Sequence, residues 1–262
     1  MTDYELRFDG VRRLFGAEGA ARLRRARVCV VGIGGVGSWA VEALARSGVG
    51  ALTLVDLDEI CVSNVNRQLH AVDGEIGKSK VEVMARRVLA INPECVVHGV
   101  ETFFTPANAD EILKPRFDFV LDAMDAISKK CFLIAQCRER GMPVLTVGAA
   151  GGRRSATGVV VTDLMLSSHD RLLLNIRKTL RQEYNFPRGE GLFNVDCVYS
   201  KETVVYPQKD GTVCERLEPD TERGLNCNSG YGTASFVTGT FGFVAAAHIV
   251  HKLTGTIVPA PE

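Results

Sequence analysis

One glycine run and a few charged residues carry the chemistry that this chain could do. Gly32-Ile33-Gly34-Gly35-Val36-Gly37 directly follows the apolar run 28–31. Asp56 closes a second apolar run, 52–55, roughly 20 residues on. Glycines in such a turn let the backbone approach a phosphate, and the helix behind them points its first amides at the anion. The acid can accept hydrogen bonds from a ribose. The pattern says nucleotide without saying which one. Farther along stand Asp58, Asn64, Arg67 and Gln68, then Lys80 at the head of a helical segment, then Asp125 beyond the apolar run 117–121. A dinucleotide oxidoreductase has no need of an arginine and a lysine that converge with a carboxylate beyond the phosphate turn. A triphosphate does. The guanidinium is a fork and the ammonium a point charge, both suited to phosphate oxygens, while the carboxylate can hold a divalent cation or orient the departing group. Singly, each has an ordinary explanation: Arg67 and Lys80 as surface charges, Asp125 as the N-cap of the next helix. Asp122, on the other side of the strand end, reads as structural.

The elements that must position these residues alternate in the βαβ manner. The pattern predicts strands at 28–31, 52–55, 96–100, 117–121 and 144–147. Helices are predicted at 35–47, 78–91, 107–113 and 127–140. After the glycine-rich 148–152 comes a strand at 159–162 and a basic amphipathic helix at 171–183. The pattern then changes: an exposed loop at 186–191, short antiparallel strands at 197–200 and 203–206, a polar stretch at 208–229, and a last helix at 230–253. The fold class expected is α/β, a mainly parallel central sheet extended by antiparallel strands and a C-terminal helix. A single domain over 1–262 is expected, with a nucleotide-binding core at 27–150 and a substrate-side and dimer-contact extension at 151–262.

Composition narrows the partners. The 31 Lys+Arg balance the 31 Asp+Glu, so nucleic-acid contact would have to come from a local patch. The eight cysteines include no C-x-x-C pair, which argues against a structural zinc site and a redox dithiol. With no signal-peptide pattern, reduced cysteines in a cytoplasmic protein are expected. The five histidines have no ligand spacing and are assigned no catalytic part. Residues 225–250 contain no Asp, Glu, Lys or Arg, long enough to cross a bilayer. Their Gly, Ser, Thr and Asn content favours a helix buried in the core or at a dimer contact over membrane association.

The segments G-I-G-G-V-G-S-W, V-D-L-D, S-N-V-N-R-Q, G-K-S-K and L-D-A-M-D together resemble the ThiF/MoeB/HesA superfamily, ATP-dependent carboxylate adenylators related to ubiquitin-activating enzymes. The resemblance implies a Rossmann-like ATP-binding core that uses ATP and Mg²⁺, and it admits a monovalent cation, K⁺ or Na⁺. It places Gly32, Gly34, Gly35, Gly37, Asp56, Asp58, Asn64, Arg67, Gln68, Lys80 and Asp125 around the nucleotide. Asp56 is then the ribose acid, Arg67 and Lys80 the phosphate ligands, and Asp125 the metal-supporting and catalytic acid. It also implies a homodimer in which an N-terminal arginine, here Arg13, reaches the partner's ATP. Relatives that activate sulfur carriers usually hold zinc through paired C-x-x-C motifs, which this chain lacks.

In the second half, V-D-C-V-Y-S, Y-P-Q-K-D-G-T-V-C, C-N-S-G-Y-G and T-G-T-F-G-F are similar to the tRNA threonylcarbamoyladenosine dehydratase branch. The likeness then runs from Arg7 to about Leu253. It implies that the adenylated carboxylate is the threonyl group of a modified adenosine beside the anticodon. The modification's own carbamoyl nitrogen would then close a ring with net loss of water. A tRNA anticodon loop would be the substrate, and a sulfur-acceptor protein of the CsdE type a further partner. The basic residues that could meet tRNA are Arg171, Arg177, Lys178 and Arg181 on one helix, with Arg153 and Arg154, against the reading of a solvated basic face. Cys197, Cys214 and Cys227 are weighed as thioester formers against small buried residues or loop thiols. Two rival readings stand beside this one: adenylation of the C-terminus of a ubiquitin-like or sulfur-carrier protein, and a NAD-binding or scaffolding Rossmann domain.

Overall fold

The computed structural model describes residues 2–208, 210–215 and 231–256. Two helices come first, α1 (Asp3–Arg7) and α2 (Asp9–Arg25). Thr2 and Glu5 form a capping box that starts α1, each side chain bonding the other's backbone amide. Gly16, at φ 74°, kinks α2. Neither helix was anticipated from the hydrophobic pattern. Then follow β1 (Arg27–Val31), α3 (Gly37–Arg46), β2 (Ala51–Val55), α4 (Lys80–Ile91), β3 (Val96–Val100), α5 (Ala109–Ile112), β4 (Phe119–Asp122), α6 (Ile127–Glu139) and β5 (Val144–Val147). The chain continues through β6 (Val159–Asp163), α7 (Arg171–Glu183), β7 (Asp196–Ser200), β8 (Tyr206–Pro207), β9 (Val213–Cys214) and α8 (Ser235–Thr254).

Seven strands form one sheet in the order β3-β2-β1-β4-β5-β7-β6, so the sheet runs on past residue 150. All neighbours are parallel except β6 and β7. Helices cover both faces, which is why the inner strands read as continuous apolar runs. On β1, Val28 and Val30 face the cluster built by Leu44, Met84, Phe241 and Ile249, from α3, α4 and α8. Cys29 and Val31 face the opposite cluster with Ile134, Leu173 and Ile176, from α6 and α7. The chain works outward from β1 through β2 to β3, then returns to the other side of β1 as β4. The carboxyl ends of β1 and β4 flank the point of reversal, where open α/β sheets leave a crevice for ligands.

Several predicted boundaries move for local reasons. Helix α4 begins at Lys80 rather than 78 because the Ser79 hydroxyl caps it, accepting from the Glu82 amide at 3.3 Å. The strand predicted at 203–206 is displaced: Val205 donates instead to the Gly152 carbonyl at 2.9 Å, and only Tyr206–Pro207 pairs with Val213–Cys214. Strand 197–200, expected as one of two short antiparallel strands, instead pairs antiparallel with β6 and parallel with β5, which makes it an inner strand. The last helix starts at Ser235, five residues late; the predicted start at Gly230, Cys227 and much of 208–229 lie outside the described residues.

By length and composition alone α8 could cross a membrane. Half of its apolar window is buried, with Val237, Phe241, Ala245 and Ile249 in the core. Its glycines explain the close fit against α3. A methyl group at Gly242 would stand 2.7 Å from both the Trp39 Cβ and the Val36 carbonyl oxygen. Gly242→Ala should therefore destabilise the protein by about 1–3 kcal/mol through overpacking. This outweighs the ~1 kcal/mol that alanine gains over glycine in a helix. Denaturant unfolding checks this; a variant as stable as the parent or more so would show that the helices separate freely.

Candidate active site

The glycine turn sits at the reversal point, and at Gly32 and Gly37 it leaves no room for a side chain. Gly32 has φ 93°, and a Cβ there would lie 2.8 Å from the Ala123 backbone at the end of β4. A Cβ on Gly37 would lie 1.8 Å from the Gly32 oxygen. The turn thus wedges between β1 and the segment after β4 and delivers the chain into α3, where the Ser38 amide already bonds the Gly34 carbonyl at 3.1 Å. Asp56, at the end of β2, holds the turn. Its Oδ2 accepts from the Ile33 amide at 2.6 Å and its Oδ1 from the Asp58 amide at 2.9 Å. A carboxylate has lone pairs beyond these two bonds, so the same acid can still receive a sugar hydroxyl.

Lys80 and Arg67 are carried by different segments, and Arg67 lies beside the turn. Lys80 is the first residue of α4, its side chain only 6% exposed and paired at 2.7 Å with Asp58 Oδ2. Asp58 itself is 54% exposed, so this ion pair opens on one side to solvent. The stem of Arg67 passes beside Gly35, 3.5 Å from where a Cβ would be. Its Nη1 donates to the Ser63 carbonyl at 2.6 Å and to Asn66 Oδ1 at 3.2 Å. Its own carbonyl accepts from Trp39 Nε1 at 3.0 Å and Thr238 Oγ1 at 3.1 Å, which clasps the arginine's backbone to α3 and α8. Asn64 shapes the turn that carries it, with Oδ1 accepting from the Cys61 amide at 3.1 Å and its carbonyl accepting from the Arg67 and Gln68 amides. Gln68 is buried against Gly34, and its Oε1 has no partner among the described residues.

Asp125 lies two residues beyond Ala123, exposed, and its carboxylate enters no hydrogen bond or ion pair among the described residues. The N-cap of α6 is Ala126, so Asp125 does not serve as the cap. Asp122 has an internal role. It is fully buried, paired with Lys130 at 3.1 Å, and accepts from Thr146 Oγ1 at 2.7 Å and the Met124 amide at 3.2 Å. Lys130 was not singled out from sequence. Its Nζ also donates to the carbonyls of Asp122 at 3.3 Å and Met124 at 2.9 Å. The ammonium thereby fixes the short segment that ends in Asp125. No signal in the sequence marks it, since a lysine on a helix reads as a surface charge.

No group of three or more His, Cys, Asp or Glu among the described residues could hold a metal alone. An exposed, unpaired carboxylate at the strand ends suits Mg²⁺ that is held mainly by phosphate oxygens and water. Arg13 is elsewhere in the fold: on α2 it pairs with Asp9 at 2.5 Å, 77% exposed, on a helix that packs against α8. Cys197 is completely buried in β7, and burial pushes its thiol up to about 12, the opposite of an activated thiolate. Cys214 is exposed, on β9.

The basic candidates divide. Arg153 is buried, and its guanidinium bonds the carbonyls of Ala149, His169 and Glu202 near Asp170, so it is an internal clamp rather than a surface contact. Arg177 is tied to the Ser167 carbonyl at 2.9 Å, and Arg181 to the Pro187 carbonyl at 3.2 Å and over the Phe193 ring. Only Arg171, Lys178 and Arg154 stay exposed.

The ThiF family model matches residues 9–262 of the chain. Over 254 residues the chain is 45% identical to the tRNA threonylcarbamoyladenosine dehydratase of Haemophilus influenzae, covering 97% of this chain and 95% of that one. The crystal structure of the E. coli tRNA N6-threonylcarbamoyladenosine dehydratase TcdA in complex with ATP superposes with a TM-score of 0.86 at 41% identity. It covers 97% of this chain and 96% of that one. The AMP complex of the same E. coli enzyme gives 0.86 at 42% identity with the same coverage.

The buried ammonium offers a direct check on how the Asp125 segment is held. Lys130→Met leaves the Asp122 carboxylate buried and uncompensated, which should cost about 3–5 kcal/mol in denaturant unfolding. The double change Lys130→Met with Asp122→Leu should recover much of that loss. A single variant as stable as the parent would mean that the charge is not carrying this segment.

Proposed function

The chain belongs to the ThiF family, and on that premise we propose that it is an ATP-dependent tRNA threonylcarbamoyladenosine dehydratase. The observation that carries this reading is its near full-length identity to a dehydratase of that name, on a fold whose E. coli counterpart has been crystallised with ATP and with AMP. The arrangement of the site supports it. Arg67 packs beside the glycine turn, Asp58 of the Lys80–Asp58 pair is bonded to the Asp56 that holds the turn, and Asp125 follows shortly after the Ala123 backbone that Gly32 meets.

A carboxylate is a poor electrophile because oxide is a poor leaving group. In the proposed reaction an oxygen of the threonyl carboxylate attacks the α-phosphorus of ATP. The bond from that phosphorus to the β-bridging oxygen breaks, and pyrophosphate leaves. The carbamoyl nitrogen then attacks the activated carbonyl carbon, the carbon–oxygen bond to AMP breaks, and the nitrogen's proton passes to solvent. The ring closes with net loss of one water from the nucleoside. Arg67 and Lys80 stabilise charge that develops on the departing phosphates, and the turn amides hold the α-phosphate. Mg²⁺, when bound by phosphate oxygens and Asp125, would supply further neutralisation of that charge. The nucleophile is part of the substrate, so proximity replaces an enzymatic one, consistent with the inert Cys197.

The further parts of the proposal are a homodimer, tRNA contact through Arg171, Lys178 and Arg154, and a cytoplasmic location. The exposed Phe236 and Phe243 on the outer face of α8 support pairing with a second copy, and Arg13, though paired with Asp9, is exposed on α2. A sulfur-acceptor partner and a monovalent cation stay proposals that rest on the family likeness alone. Adenylation of a ubiquitin-like or sulfur-carrier C-terminus is the second reading, disfavoured by the lack of paired C-x-x-C motifs.

Incubation with ATP, Mg²⁺ and tRNA bearing threonylcarbamoyladenosine, followed by nucleoside mass analysis, tests the assignment. We expect conversion of that nucleoside to a product lighter by one water, and at least a ~100-fold lower rate for Asp125→Asn. An unchanged nucleoside, together with pyrophosphate exchange driven by a carrier protein, would favour the second reading.

A further inference from the structure

His70 is outside every role described so far, yet it is 2% exposed and lies against the glycine turn. Its Nε2 stands 2.8 Å from the Ile33 carbonyl oxygen. A carbonyl can only accept, so Nε2 carries the proton and Nδ1 is the bare nitrogen. Nδ1 has no partner among the described residues. Burial lowers the ring's pKa below the ordinary histidine value, in keeping with a neutral imidazole that makes one specific bond.

That bond falls on the peptide group between Ile33 and Gly34. The group is planar and trans, so its C=O and its N–H point in opposite directions. Drawing the Ile33 carbonyl inward onto His70 turns the Gly34 N–H outward, away from the core. The neighbouring peptide is fixed too, since Asp56 takes the Ile33 N–H at 2.6 Å. Ile33 is thereby gripped at both its amide and its carbonyl, and its side chain is fully buried. Two glycines flank it, and without these grips their peptide planes would rotate at little steric cost.

We infer that His70 is a positioning residue for the nucleotide: by holding the Ile33 carbonyl it aims the Gly34 amide at a phosphate of bound ATP. The inference rests on the reading of this turn as the ATP site. It assigns His70 no contact with the nucleotide, and its effect falls on affinity rather than on the chemical step.

The test compares three substitutions by calorimetric ATP titration and steady-state kinetics. Glutamine can place an amide N–H near the position of Nε2, whereas asparagine reaches only that of Nδ1. His70→Ala and His70→Asn should weaken ATP binding about tenfold, the factor for one lost hydrogen bond. KM for ATP should rise in step while kcat stays within about threefold. His70→Gln should restore most of the affinity. If the alanine variant does not fold, the glutamine–asparagine pair alone decides. Equal ATP affinity in the asparagine variant and the parent, or equal losses in both amide variants, would overturn the inference. A parent protein that binds no ATP would instead remove the reading on which it rests.

Discussion

A carboxylate at the end of one strand holding an amide at the end of the next organises this molecule. Asp56 reaches from β2 to the Ile33 N–H beyond β1, and with its second oxygen it takes the Asp58 amide. One side chain therefore ties the glycine turn to the segment whose acid pairs with Lys80. Gly32 and Gly37 have to be glycine because a Cβ would strike the Ala123 backbone at the first and the Gly32 carbonyl at the second. That close fit brings the ends of β1, β2 and β4 into one rim. The remaining architecture, two helical layers over a sheet buried on both faces, keeps these strand ends from shifting relative to one another.

Around the rim the structure repeatedly uses backbone carbonyls to hold charged side chains in place. Arg67 is anchored through its own carbonyl by Trp39 and Thr238, from two helices. Lys130 gathers the Asp122 and Met124 carbonyls just before Asp125. Such clasps fix the Arg67 backbone and the segment before Asp125 on rigid supports.

The sequence made the rim residues visible because they are punctuated by apolar runs of strand length and by glycines with few alternatives. The inner strands were legible for the same reason, being apolar throughout. Other features depend on tertiary partners. Helix α2 has little apolar periodicity and carries a glycine kink at Gly16, so the pattern did not announce it. Arg153 and Lys130 read as surface cations because nothing local reveals the carbonyls waiting for them. Of the basic helix, Arg177 and Arg181 proved to be staples that bind nearby loops, a role that charge counting cannot separate from RNA contact. His70 was passed over because a lone histidine has no spacing to judge; its meaning lies in a carbonyl 37 residues earlier in the chain.

The central chemical claim, that AMP is placed on the substrate's own carboxylate, leaves a trace in the products. If the threonyl carboxylate of the tRNA carries heavy oxygen and ATP does not, one labelled oxygen should appear in the AMP released on cyclisation. Mass analysis of the nucleotides after a single turnover reads this directly. Label in AMP is the expected result. Label in inorganic phosphate with ADP as co-product, or unlabelled AMP beside a cyclised nucleoside, would contradict adenylation and require another route for the lost oxygen.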